Sequence, residues 1–212
     1  MDVVRTDYLA AAASATALLR EPAVAAAWDG PSALPRLAVS GLAGHLARQV
    51  TRVPEILAAD TPGTAPLPLL EHYARSQWVD GDLDGADNVR VRRDGDEEAA
   101  GGSAALVALA EGALAELATL LPAQPADRVV ELPWAAWSLT LDDFLTTRLL
   151  EISVHCDDLA VSVGVPTPPL PPGVAAAVLP LLSLLAARRH GDTAVLRALS
   201  RAERAPATIA AL

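Results

Sequence analysis

Lysine is missing from the 212-residue chain: all 16 basic residues are arginine, set against 26 acidic ones, for a formal net charge of −10. That shortage of positive charge excludes a general binder of phosphate backbones, which needs the opposite sign. With 45 alanines and 17 prolines, the missing lysine points to codon bias toward G and C rather than to chemistry. Aromatic residues make up only 3%, so the apolar mass is Ala, Leu and Val, a helix-former's composition. One cysteine, Cys156, cannot close an intrachain disulfide, and a reducing compartment is the expected home. The Ala/Leu stretch near the start lacks the basic lead of a secretion signal, because Asp2 and Asp7 interrupt it. Long apolar runs are lacking too: residues 174–187 are apolar but only 14 in number, with Pro180 among them, against the roughly 20 a bilayer crossing needs. These absences predict a cytoplasmic protein with neither membrane nor nucleic acid as partner.

What is present is helical periodicity. Residues 4–19 form a first helical segment that stops before Pro22, which has no backbone donor. Residues 39–57 form a second, with Leu42, Leu46, Val50, Val53 and Leu57 on one face. Residues 103–121 form a third, striped by Leu106, Leu109, Ala113, Leu114, Leu117 and Leu121. Residues 141–163 form a fourth, opened by Thr140 with Asp143 three positions on, a variant of the capping box. Four helices near 20 residues and no long alternating strand predict an all-α four-helix bundle.

Residues 60–68 (DTPGTAPLP) are a Pro-rich connector, and residues 80–102 read as an acidic, Gly-rich loop. The long connection lets the second and third helices run in the same direction, as in crossover bundles. Short β-like runs at 89–91 and 129–132 could pair with each other. The loop's opening, Asp80-Gly-Asp82-Leu-Asp84-Gly85, imitates a calcium loop, but position twelve, which needs a bidentate Glu, is Val91; a solvated acidic loop is the better reading. After Val165, PTPPLPPG ends the bundle, which divides the chain into a bundle over 1–165 and a connector with C-terminal helices, about 174–189 and 193–204, over 166–212. The apolar 174–187 stretch needs cover from the bundle or from a second subunit, so a homodimer is one expectation.

Four histidines carry the chemical signal. Glu151 and His155 stand four apart on the fourth segment, so a carboxylate oxygen and an imidazole nitrogen share one helix face. His45 lies at the edge of the second segment's buried stripe, 106 residues before Glu151, and completes the set only if those two helices pack side by side. Spacing alone supports a divalent-metal site. The plain alternative is a pair of hydrogen-bonded core histidines with Arg148 as the partner that buried Glu151 requires. His72 reads as partly exposed near the pocket, and His190 at a helix end carries no chemistry. Cys156 turns toward the stripe centre as an inert thiol, and Asp158 sits nearer Glu151 on the helical wheel than Asp157 does. Of Trp28, Trp78, Trp134 and Trp137, three lie in loops that could roof a pocket.

The run Arg148-Leu-Leu-Glu151-Ile-Ser-Val154-His155-Cys-Asp157-Asp158-Leu159-Ala160, closing at Gly164, resembles the R-x-x-E-x-x-V-H-x-x-D-L-A signature of the mycothiol-dependent maleylpyruvate isomerase family of the DinB-like superfamily. Upstream, Trp28-Asp-Gly-Pro31-Ser32 leading to Val39-Ser-Gly-Leu42-Ala-Gly-His45-Leu46 is similar to that family's first-histidine region. Leu34-Pro35-Arg36-Leu37 replaces the family's Cys-Pro-Gly-Trp-like turn, and Ala38 stands where a capping Thr is common, leaving Ser40 or water to meet the free N–H groups. The resemblance covers roughly residues 5–165 and implies a DinB-like up-down-down-up bundle with His45, Glu151 and His155 as metal ligands. It also implies a small thiol of the mycothiol type as partner, and isomerisation or S-transfer on a small electrophile. The isomerase resembles a two-domain protein with an α/β module after its bundle, whereas the 47 residues after Val165 read as helices. Two imidazoles and a carboxylate suit zinc first, with Ni, Mn and Fe compatible by ligand type. The alternative function is a non-catalytic metal- or thiol-binding bundle.

Overall fold

The computed structural model describes residues 3–76 and 84–211. In chain order the elements are α1 (Val3–Leu19), α2 (Pro22–Ala26), α3 (Val39–Ala58), α4 (Leu69–Arg75), α5 (Ala86–Ala99), α6 (Ser103–Ala123), β1 (Val129–Glu131), β2 (Ser138–Thr140), α7 (Leu141–Val163), α8 (Pro172–His190) and α9 (Asp192–Ser200), then a 3-10 turn (Ala202–Arg204). The four expected bundle helices are α1, α3, α6 and α7, and their buried faces meet in one core around Tyr8, Leu42, Leu46, Leu117, Phe144 and Leu145; Leu109, expected on the α6 stripe, is instead exposed, and Ala110 is buried.

Polar ties between the helices establish their directions. Arg5, near the start of α1, bonds Asp142 at the start of α7 and the carbonyls of Leu121, Gln124 and Pro125 at the end of α6. Arg20, just past α1, pairs with Glu111 farther up α6. On α3, His45 meets Glu151 and Gln49 meets Arg148, while Arg128, just before β1, reaches the α3 carbonyl of Leu57. The order is therefore up, down, down, up: the all-α DinB-like bundle. Its two parallel neighbours, α3 and α6, need the long crossover between them.

That crossover is more ordered than its composition suggests. Residues 86–99, expected as part of a solvated loop, form α5, and 89–91 belong to this helix rather than to a strand. Val129–Glu131 instead pairs antiparallel with Ser138–Thr140. Tertiary contact overrides the weak helical pattern: a Cβ on Gly44 would strike the carbonyl oxygen of Gly95, and one on Gly95 would lie 2.5 Å from the carbonyl oxygen of Gly41. With glycine there, α5 lies directly on α3, where Arg48 bridges Asp94 and Glu98 at 3.1 Å each. Asp94 and Glu98 thus face α3 arginines, while Asp96 and Glu97 stay exposed, as expected. Asp80 and Asp82 of the calcium-like opening, with Trp78, lie outside the described residues; Asp84 pairs with Arg36.

Two helix ends follow the expected chemistry and one does not. Thr140 Oγ1 accepts the N–H of Asp143 at 3.0 Å, and Gly164, in the left-handed region at φ 70°, closes α7. Thr140→Ala is expected to lower stability by about 1 kcal/mol, read from the denaturant midpoint. At the start of α3 no side chain caps. The N–H groups of Val39 and Ser40 go to the carbonyls of Gly30 and Trp28, so the preceding loop takes the role expected of Ser40 or water.

The C-terminal helices α8 and α9 differ slightly from expectation: α9 stops at Ser200. By length and composition alone α6 and α8 could each cross a bilayer. In the fold, α8 packs on α1 and α7, and α6 buries Leu106, Ala110, Leu117 and Leu121 in the bundle.

Candidate metal centre

Antiparallel packing of α3 against α7 brings the distant histidine to the helical pair. His45 Nε2 lies 3.4 Å and His155 Nε2 3.3 Å from the same atom, Glu151 Oε2. The imidazole rings stand edge-on, centroids 4.6 Å apart and planes at 85°. Each residue offers a donor atom within 4.8 Å of the other two, and all three side chains are mostly buried. The two imidazole–carboxylate separations, near 3.3 Å, are those of a tetrahedral edge for bonds of about 2.0–2.1 Å, and with all three donors within 4.8 Å of one another the set can converge on one small divalent ion.

The surroundings orient these donors. His155 Nδ1 bonds Asp158 Oδ2 at 2.9 Å, which leaves Nε2 to face Glu151, the carboxylate–histidine arrangement that steers metal-ligating imidazoles. Asp158, not Asp157, holds this place; Asp157 accepts the Thr167 hydroxyl at 2.6 Å. Gln49 Nε2 donates to the His45 carbonyl oxygen at 2.8 Å, and Arg148 donates to Gln49 Oε1 at 2.5 Å. Arg148, the alternative partner for Glu151, is thus spent on Gln49 while its charge still acts on Glu151 at longer range.

Protonation follows from this packing. Burial pushes the Glu151 carboxyl up, but hydrogen bonds from His155 and His45 and the charges of His155 and Arg148 outweigh it and hold the group well below its ordinary range. Burial lowers His155, yet hydrogen bonds and charge from Asp158 and Glu151 prevail and raise it to about 9. Burial dominates at His45, which is lowered and stays neutral. Cys156 is buried and pushed up to about 12, the inert thiol expected.

The three donors open on a cavity of about 560 Å³ whose wall includes His72, Tyr73, Trp134, Trp137, Arg52 and Arg148. Arg52 lies over the Trp134 ring at 4.7 Å. Two of the expected roofing tryptophans, Trp134 and Trp137, line this cavity, whereas Trp28 packs on the core. His72 departs from expectation: it is 6% exposed rather than partly exposed, because Trp137, from the turn between β1 and β2, packs against it. Its Nδ1 accepts the Trp137 indole N–H at 3.0 Å. Only its place beside Tyr73 after the Pro-rich connector hinted at this, and neither helix period nor motif marks it.

A family model described as the mycothiol maleylpyruvate isomerase N-terminal domain matches residues 9–160. The chain belongs to that family. No curated protein and no solved structure matched the chain. The match runs from within α1 to Ala160 in α7, includes His45, Glu151 and His155, and ends before α8 and α9. The family therefore accounts for a mycothiol-related, metal-binding bundle.

Burial and the Arg148 charge lower His72 to about 4. A base whose folded pKa falls below its ordinary 6.5 favours folding while neutral. Stability is fully present above about pH 6.5 and declines as pH falls toward 4, where the unfolded chain binds more protons. The loss is expected to reach up to about 3 kcal/mol. Denaturant midpoints across this range should fall less steeply in His72→Phe; an identical slope would place the acid sensitivity elsewhere.

Proposed function

We propose that the chain holds one divalent ion, zinc first, on His45, Glu151 and His155, and uses a mycothiol-type thiol to transfer to, or isomerise, a small electrophile. The observation that carries this reading is the convergence of two imidazole nitrogens on one carboxylate oxygen at 3.3–3.4 Å, beside a cavity large enough for small molecules. Once bound, the ion would supply an open coordination position at which a thiol loses its proton near neutral pH. Asp158 keeps His155 Nε2 turned inward, Gln49 and Arg148 brace the α3 turn bearing His45, and Trp134 and Trp137 give the cavity an aromatic wall. The single buried thiol, Cys156, suits a reducing cytoplasm.

Elemental analysis of protein purified without a histidine tag should find about one divalent ion per chain. Thiol consumption should then depend on that ion across a panel of electrophiles. Metal and thiol binding with no electrophile consumed would leave a binding bundle in place of an enzyme.

A further inference from the structure

His72 belongs to the cavity but not to the three-donor cluster, and the reading above gives it no task. An indole N–H can only donate, so the Nδ1 that receives Trp137 at 3.0 Å must carry the lone pair, and a neutral ring then holds its proton on Nε2. The ring is fixed by edge-on contacts with Trp137, centroids 5.9 Å apart, and Tyr73, 5.1 Å. Among the described residues no protein acceptor meets Nε2, and the side chain lines the cavity. Its neutral form persists near neutral pH, since burial and Arg148 oppose protonation more than Glu151 favours it.

We propose that His72 is a ligand-contacting residue of this cavity, its Nε2–H serving as a fixed hydrogen-bond donor to a carbonyl oxygen of the bound electrophile. The inference rests on the small-molecule reading of the site. A donor set in advance by Trp137 needs no reorganisation when charge builds on that oxygen. As a thiolate forms its S–C bond at a carbon conjugated with the carbonyl, the displaced π pair moves onto the oxygen. Nε2–H meets that charge and keeps its proton; the reverse step then expels the thiolate, or water delivers a proton to the α-carbon and the adduct is released.

The test uses the full, zinc-loaded chain, with cyclohex-2-enone as probe and cysteine as thiol. Long-range proton–nitrogen correlation should show His72 as the Nε2–H tautomer, its Nε2 resonance should move on adding the enone alone, and Trp137→Phe should mix the tautomers. His72→Phe should lower kcat about 100-fold with a smaller change in KM and unchanged metal content, and His72→Gln, whose amide still donates, should recover part of the loss. If the unaltered protein joins no thiol to the enone, the proposed reaction fails, and the response of Nε2 to the enone alone decides the role of His72. An Nδ1–H tautomer, an Nε2 resonance indifferent to the enone, or a His72→Phe variant turning over at the original rate would each overturn the proposal.

Discussion

Replacing His155 by alanine is expected to strip the chain of its ion, from about one per molecule to near zero after dialysis, while the helical fold persists. The side chain supplies one of three donors, and its loss leaves Glu151 and His45 as a two-point grip too weak to hold a divalent ion through dilution. His45→Ala should behave alike although it sits on a different helix, because both imidazoles converge on Glu151 Oε2. Asp158→Asn should weaken binding by about 10–100-fold without abolishing it, since it orients the ligand and does not touch the ion. Metal content measured by mass spectrometry, alongside circular dichroism for folding, checks all three. Full occupancy in both alanine variants would show that the ion lies elsewhere.

Arg5→Ala should be the most damaging single change to stability away from the cavity, costing about 3–5 kcal/mol. Arg5 is buried at 4% exposure and donates to the carbonyls of Leu121, Gln124 and Pro125 while pairing with Asp142 at 3.1 Å. It thereby ties together the start of α1, the end of α6 and the start of α7. Alanine removes a charge that satisfies three carbonyls at and just beyond the end of α6 and leaves Asp142 without this partner at the seam. Arg75, exposed and paired with Glu71 on the same helix, is the natural control and should cost less than about 1 kcal/mol when replaced. Comparable denaturant midpoints for the two variants would remove Arg5 from its place as keystone.

The features that sequence reasoning missed share one cause. Arg5 reads as one polar residue in an Ala-rich helix, and nothing near it announces that the end of α6 will arrive 116 residues later. The α5 segment, ADNVRVRRDGDEEA, is polar enough to pass for loop, and it becomes a helix because Gly41 and Gly44 of α3 accept its backbone at close range while Arg48 pairs with Asp94 and Glu98. His72 has no period or motif to mark it, and its burial depends on Trp137, from the turn between β1 and β2, packing against it. Each is a non-local pairing, and local pattern holds no record of its distant partner.

Within one chain segment the sequence was sufficient: the four long helices, the Thr140 cap, the Gly164 stop and the shared face of Glu151 and His155 all follow from neighbours at most four residues apart, where propensity and periodicity act directly. Whether His45 would reach that face, whether Arg148 would take Glu151 or Gln49, and which aromatics would wall the cavity were decided by packing α3 antiparallel to α7 and laying the crossover on α3. Those outcomes depend on distances between elements that are far apart along the chain, and burying the apolar stripes in a single core is what sets them.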